Sequence, residues 1–300
     1  MRIGVFSDPI GLVPFEQLER VCVAIQEQLR EVCAAWRLEE ITVEPCRARS
    51  DPANVCYVTV SRDPLLSTAF RAPGDDDASP SGEHGPGISG APFAHVRHVD
   101  DDPLHHHWWT VTLSHECIEM AVNPNMDNWV PAPPRQEFAA LPGVGGDETV
   151  EYLKEICDPC QSGLYAYPYA GPGIDEPIWL SDFLLPEYFD TRSQADRFSF
   201  HGSVRQPLDI LTNGCLTWGV RRTRQMWQQW RSGDGTLTDP EPIDGLGWPE
   251  SAEGPGAPAP ERRTERRHRL YGDADYRAHR IPDAKRVADA LAAVRAGRTK

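Results

Sequence analysis

The chain has 300 residues, 40% of them hydrophobic, which suits one large domain or one domain with appendages. Its 28 prolines and 24 glycines make much of it loop, and a net charge of -15 argues against a general nucleic-acid binder. No apolar run has the length of a membrane span or a secretory segment, and eight cysteines in so long a chain do not make a small disulfide framework, so a reducing cytoplasm is the expected setting.

Residues 2–7 read as a first strand. Phe15, Leu18, Cys22, Ile25, Leu29, Val32 and Trp36 then recur at spacings of three and four, which predicts a helix over about 14–36 with one apolar stripe. Pro14 suits the start of that helix, and Cys22 and Cys33 on one of its faces read as core fillers. Residues 40–45 and 55–61 are β-branched, alternating runs and read as strands, with 69–72 a short candidate. Residues 73–92, rich in Gly, Pro, Asp and Ser, read as a long loop, in which His84 either faces a cleft or is solvated. Residues 93–99 alternate again and read as a strand.

The polar stretch 100–107, with His105, His106 and His107, leads into a predicted helix over about 108–122. The three histidines read either as a polar entry to the helix or as a metal tract, and Asn123-Pro124 stops it. Residues 125–147 look irregular, 148–156 fit either a helix or a strand, and 168–177 look like loop. Residues 179–183 and 216–220 are candidate strands, and 284–294 a short helix. The order is strand, long helix, several strands and a second helix, an α+β layout with a small mixed sheet over the two helices and a loop-rich C-terminal part. The expected organisation is a domain over 1–231, a Pro/Gly-rich linker over 232–260 and a basic, partly helical tail over 261–300. That tail holds 12 Lys/Arg against 6 Asp/Glu, a local charge of +6 that leaves -21 for the rest, and it could meet an acidic partner.

The second helix carries the chemistry. His115 and Glu119 are four residues apart and so stand on one helix face, both competent ligands for zinc or another divalent cation. Glu116 points about 100° further round, where the neighbouring Glu of a His-Glu-x-x-His helix acts as general base. Glu119 replaces the second His; its added negative charge makes the metal a weaker Lewis acid. Glu155 and Asp158 are the candidates for a third ligand, and the sequence does not choose between them. Cys157 and Cys160 form a lone Cys-x-x-Cys, either a redox pair or half a zinc knuckle, and without a second pair the knuckle is disfavoured. Asp182 reads either as a residue orienting a ligand or as a strand-end turn cap.

The run from Trp109 to Glu116, with Glu119-Met120 and Asn123-Pro124, resembles a group of uncharacterised phage and bacterial zincin-like proteins. Those proteins pair a Ser-His-Glu-x-x-Glu-Met helix with later Glu-x-Cys-Asp-Pro and Ser-Asp-Phe segments, here Glu155 to Pro159 and Ser181 to Phe183. Ala24, Ile25, Gln26 and Gln28 running on to Trp36, and Pro92-Phe93-Ala94 with Val96, resemble the same group, so the likeness spans roughly 15–230. Asn123 stands where an Asp is common in the group, and Cys160 where an aliphatic residue is usual.

The resemblance implies a zincin-like fold and metallopeptidase-type activity. One Zn²⁺ per chain would sit on His115, Glu119 and either Asp158 or Glu155, with Glu116 as base, for cleavage of a peptide or amide bond in a peptide or protein substrate. Residues 93–99 would be the edge strand that pairs with substrate. Neither nucleic acid nor a membrane is an expected partner. The alternatives are a non-catalytic zincin-like binding protein, a phage-type structural protein, and a metal-dependent tailoring enzyme acting on a peptide or small molecule.

Overall fold

In a computed structural model, the structure describes residues 1–47, 55–62, 82–86, 92–98, 108–135, 149–171, 174, 176–220 and 223–243. The candidate strand at 69–72, the His105–His107 tract and the tail 261–300 lie outside them.

The first sheet forms as the alternation predicts. Strands β1 (Arg2–Asp8), β2 (Thr42–Pro45), β3 (Val55–Ser61), β4 (Gly82–Pro86) and β5 (Pro92–Arg97) lie in the order β2-β1-β3-β5-β4. The first four positions are parallel, and β4 closes the edge antiparallel to β5. Helix α1 (Phe15–Trp36) connects β1 to β2, as a parallel pair requires. Its predicted stripe is the buried face, with Leu18, Cys22, Ile25, Leu29 and Val32 inside. One polar residue joins that face: Gln28 donates to the Ser181 carbonyl at 2.7 Å and to the Tyr167 hydroxyl at 2.8 Å. Arg37 ends the helix in the left-handed region at φ 54, and the chain turns toward β2.

Two expectations for this sheet are corrected. Residues 73–92 are not loop throughout, because 82–86 form β4. Gly82, Gly85 and Pro86 carry no strand propensity; the strand exists because β5 offers an open edge to pair with. It follows that β5, expected to be the edge strand, is interior, and β4 is the edge.

Helix α2 (Trp108–Val122) has the predicted bounds. Its surroundings differ from an ordinary amphipathic helix, since Trp109 to Val111 and Leu113 to Val122 are all buried. A helix apolar on one side and polar on the other has both sides covered here, so its polar residues need partners inside the protein. Ser114 is interior to the helix and accepts a hydrogen bond from the Ser181 backbone N–H at 2.7 Å, while Thr110 donates to the Trp179 carbonyl at 2.8 Å. These two hydroxyls fasten α2 along strand β9 (Ile178–Leu180), which pairs with β8 (Tyr167–Tyr169). β8 begins a stretch expected to be loop.

A second, antiparallel sheet takes β6 (Trp129–Ala132), β7 (Val150–Leu153), β10 (Cys215–Val220), β11 (Gln225–Trp230) and β12 (Glu241–Ile243) in the order β12-β11-β10-β7-β6. Residues 148–156 thus contain a strand, and 125–147 contain β6. β12 lies inside the stretch read as linker. Trp218 and Trp227 stack across β10 and β11 with ring centroids 4.7 Å apart. Both sheets and both helices share one apolar core, in which Ile25, Leu113, Ile118, Tyr152, Phe183 and Trp218 are essentially inaccessible. The molecule is a mixed α+β protein with two helices among its described residues, and none of those helices is long and apolar enough to cross a membrane.

Candidate metal centre

Three segments meet on the buried polar side of α2. From the helix come His115, Glu116 and Glu119; from the turn after β7 come Glu155 and Asp158; from the edge strand comes His84. The β4–β5 register puts His84 opposite Ala94, on the sheet face that packs against the helices, and Glu83 opposite His95 on the other face. All six side chains are buried, His84 and His115 at 6% exposure and the four carboxylates at 4% or less.

His115 Nε2 lies 3.1 Å from Glu119 Oε2 and 3.5 Å from Asp158 Oδ1. This buried nitrogen makes no well-formed hydrogen bond, yet both carboxylates stand close enough to hold a proton on it. Donor atoms on a tetrahedral zinc, each about 2.0–2.1 Å from the metal, stand about 3.3 Å from one another. The His115–Glu119 and His115–Asp158 spacings therefore also suit ligands to a shared cation, and the residues present fit zinc.

The surroundings fix each carboxylate. Glu119 Oε1 accepts the backbone N–H groups of Cys157 at 3.1 Å and Asp158 at 3.2 Å, which leaves Oε2 toward the histidines. Asp158 Oδ2 accepts the Cys215 thiol at 3.3 Å, leaving Oδ1 toward His115. Gln228 in turn donates to Cys215 Sγ and to Thr217. Such contacts behind a ligand hold its orientation before any metal arrives. Gly214, next to Cys215, has no room for a side chain: a Cβ there would lie 2.4 Å from the Pro159 carbonyl oxygen.

Of the two candidate third ligands, Asp158 faces His115, while Glu155 Oε1 stands 3.7 Å from His84 Nε2 and accepts the Asn123 side-chain amide at 3.4 Å. Glu116 sits between the helix and the edge strand. Its Oε2 is 3.3 Å from His84 Nδ1, and its Oε1 fills the space beside Gly82, where a Cβ would meet it at 2.6 Å.

His84 is the residue that sequence reasoning left in a loop. Two of its ring contacts are to α2 carboxylates, Glu116 and Glu119, the latter at 3.6 Å. The signal available was the loop itself: twenty structureless residues are unusual in a compact domain. Asp182 serves the fold instead of the site. It accepts from the backbone N–H groups of Phe183 and His201 and from the Ser203 hydroxyl, closing a turn. Cys157 and Cys160 are free, and burial pushes both thiols well up, so they are protonated and poorly nucleophilic.

Burial alone would lower both imidazoles, but the carboxylates around them more than reverse it. Glu155, Glu116 and Glu119 bring His84 up to about 9, and Glu119 and Asp158 hold His115 well above its ordinary value. Glu119 itself is raised by burial and by Glu155 and Asp158, against the pull of His115.

The described residues hold three triplets whose donor atoms lie within 4.8 Å of one another: His115–Glu119–Cys157, His84–Glu116–Glu119 and Glu119–Glu155–Asp158. Glu119 belongs to all three. The fold and site thus define a mixed α+β protein with a buried His/carboxylate cluster. No family model, curated protein or solved structure matches the chain.

Proposed function

We propose that this chain is a zincin-like, zinc-dependent hydrolase of peptide or amide bonds, with His115, Glu119 and Asp158 holding the metal and Glu116 acting as general base. The observation that carries the reading is that His115 Nε2 lies 3.1 Å from Glu119 Oε2 and 3.5 Å from Asp158 Oδ1, with all three side chains buried. Zinc, when bound, supplies Lewis acidity that polarises a carbonyl and eases the ionisation of water. Glu116 takes the proton from the attacking water and returns it to the leaving amine. Strand β4, the edge beside Glu116, replaces β5 as the element that would pair with an extended substrate.

The depth of the site favours one other reading, a structural metal in a non-catalytic protein, since ligand groups this buried suit a closed site. Turnover and metal content separate the two. Full-length protein purified without chelators should contain at least one zinc per chain by elemental analysis, and His115→Ala and Glu119→Ala should lose it. Glu116→Gln should keep the zinc bound at His115 and lose hydrolysis of a peptide library. Protein that arrives free of metal would sink the site. Undiminished hydrolysis in Glu116→Gln would remove that residue as base, and zinc without hydrolysis in the wild type would leave the structural reading.

A further inference from the structure

The buried cluster contains a second set of converging donors besides the one at His115. His84, Glu116 and Glu119 offer three donor atoms within 4.8 Å of one another, and Glu119 is the residue the two sets share.

His84 supplies the donor for a second cation. Its Nε2 lies 3.2 Å from the Asn123 carbonyl oxygen, which can only accept, so the ring proton sits on Nε2. Nδ1 of that tautomer presents a lone pair. Yet Nδ1 faces two more acceptors, Glu116 Oε2 at 3.3 Å and Glu119 Oε2 at 3.6 Å. The three donor atoms lie within 4.8 Å of one another, a space that either a proton on Nδ1 or a shared cation fills. A ligating His whose other nitrogen donates to a backbone carbonyl is the usual arrangement around a metal.

We propose that the cluster is a two-cation centre bridged by Glu119. One divalent ion is held by His115, Glu119 and Asp158, and a second by His84 Nδ1 and Glu116 Oε2, with Glu119 Oε2 shared between them. The proposal rests on the reading of His115, Glu119 and Asp158 as a cation site and extends it. The Asn123 carbonyl fixes a proton on His84 Nε2, and the Asn123 amide holds Glu155 on that same Nε2 side of the ring.

The test is stoichiometry and proximity, not activity. Full-length protein carrying His105→Ala, His106→Ala and His107→Ala, which removes a competing histidine tract, is stripped of metal and titrated with Mn²⁺ under equilibrium dialysis. Two ions per chain are expected, with the spin-coupled resonance of a close Mn²⁺ pair. His84→Ala and Glu116→Gln should weaken one of the two at least tenfold and leave the other unchanged, while His115→Ala weakens the other. His84→Gln, which can still donate to the Asn123 carbonyl, serves if His84→Ala does not fold. One ion per chain, unaffected by His84→Ala, overturns the second position and leaves the first standing: a proton then fills the gap at His84. One ion lost equally in His84→Ala and His115→Ala means that both imidazoles serve a single cation, which also overturns the pair. No bound ion removes both positions.

Discussion

Glu119 has its two oxygens assigned before any cation arrives: one is fixed by two backbone N–H groups, and the other is aimed at two histidines. The same geometry sets how the protein responds to pH. His84, held up to about 9, and His115, held well above its ordinary value, are both raised relative to an unfolded imidazole near 6.5. For a raised histidine the stabilisation is complete below the unfolded value and is lost as pH climbs through the folded one. Chelated protein is therefore expected to lose stability between about pH 6.5 and 9, at up to about 1.4 kcal/mol per pH unit for each proton released. Zinc competes with those protons, so it should raise Tm more at pH 9 than at pH 6. Urea melts across this range with and without metal check it. A flat profile without metal would mean that the carboxylates do not grip the imidazoles.

Among the elements, β4 and α2 show what a sequence can and cannot disclose. Helix α2 was legible at both ends: its start follows the polar stretch, and Asn123-Pro124 stops it. The pairing of His115 with Glu119 followed from helical spacing alone. β4 was not legible, because Gly-Glu-His-Gly-Pro has neither alternation nor β-branched residues, and its conformation comes from a partner strand. For that reason His84 read as a loop residue, either facing a cleft or solvated, and not as one of the site residues. The choice between Glu155 and Asp158 depended on how a turn after β7 folds back on α2, which no local pattern encodes.

The close approach of these two elements has a measurable consequence. A Cβ at Gly82 would stand 2.4 Å from Thr112 Cγ2 and 2.6 Å from Glu116 Oε1. Gly82→Ala should therefore cost about 1–3 kcal/mol in a urea melt, as overpacking does. Thr112→Ser, which removes the nearer clash, should recover part of that loss in the double variant. No loss in Gly82→Ala would show that β4 stands off the helix.

At the scale of the whole molecule, the described structure runs past the point where composition places a linker. Composition ends the domain at 231, but the chain continues through a turn that returns to β11. Thr238 Oγ1 accepts the Trp230 N–H at 3.1 Å, the Thr238 carbonyl accepts the Gln229 side-chain amide at 2.9 Å, and β12 then covers the edge. Gly, Asp and Pro in this stretch mark tight turns as readily as they mark a linker, and composition does not separate the two. A chain cut after residue 231 should melt roughly 5–10 °C below one cut after 243, from the loss of about 3 kcal/mol in strand pairing. Equal melting temperatures would make 232–243 dispensable.

If Glu119 is the shared ligand proposed above, it also sets when in its life the protein would acquire metal. His84, the His115–Glu119 pair and Asp158 come from three separate stretches of the chain, and Cys215, behind Asp158, is later still. While residue 158 is inside the ribosome, the emerged chain offers little more than an exposed imidazole and carboxylate one helical turn apart, a weak and unselective chelate. The backbone clamp on Glu119 forms only once Cys157 and Asp158 have come round to the helix. On the proposed function, cation uptake would follow tertiary closure, and the metal available to the finished fold would decide which one is kept.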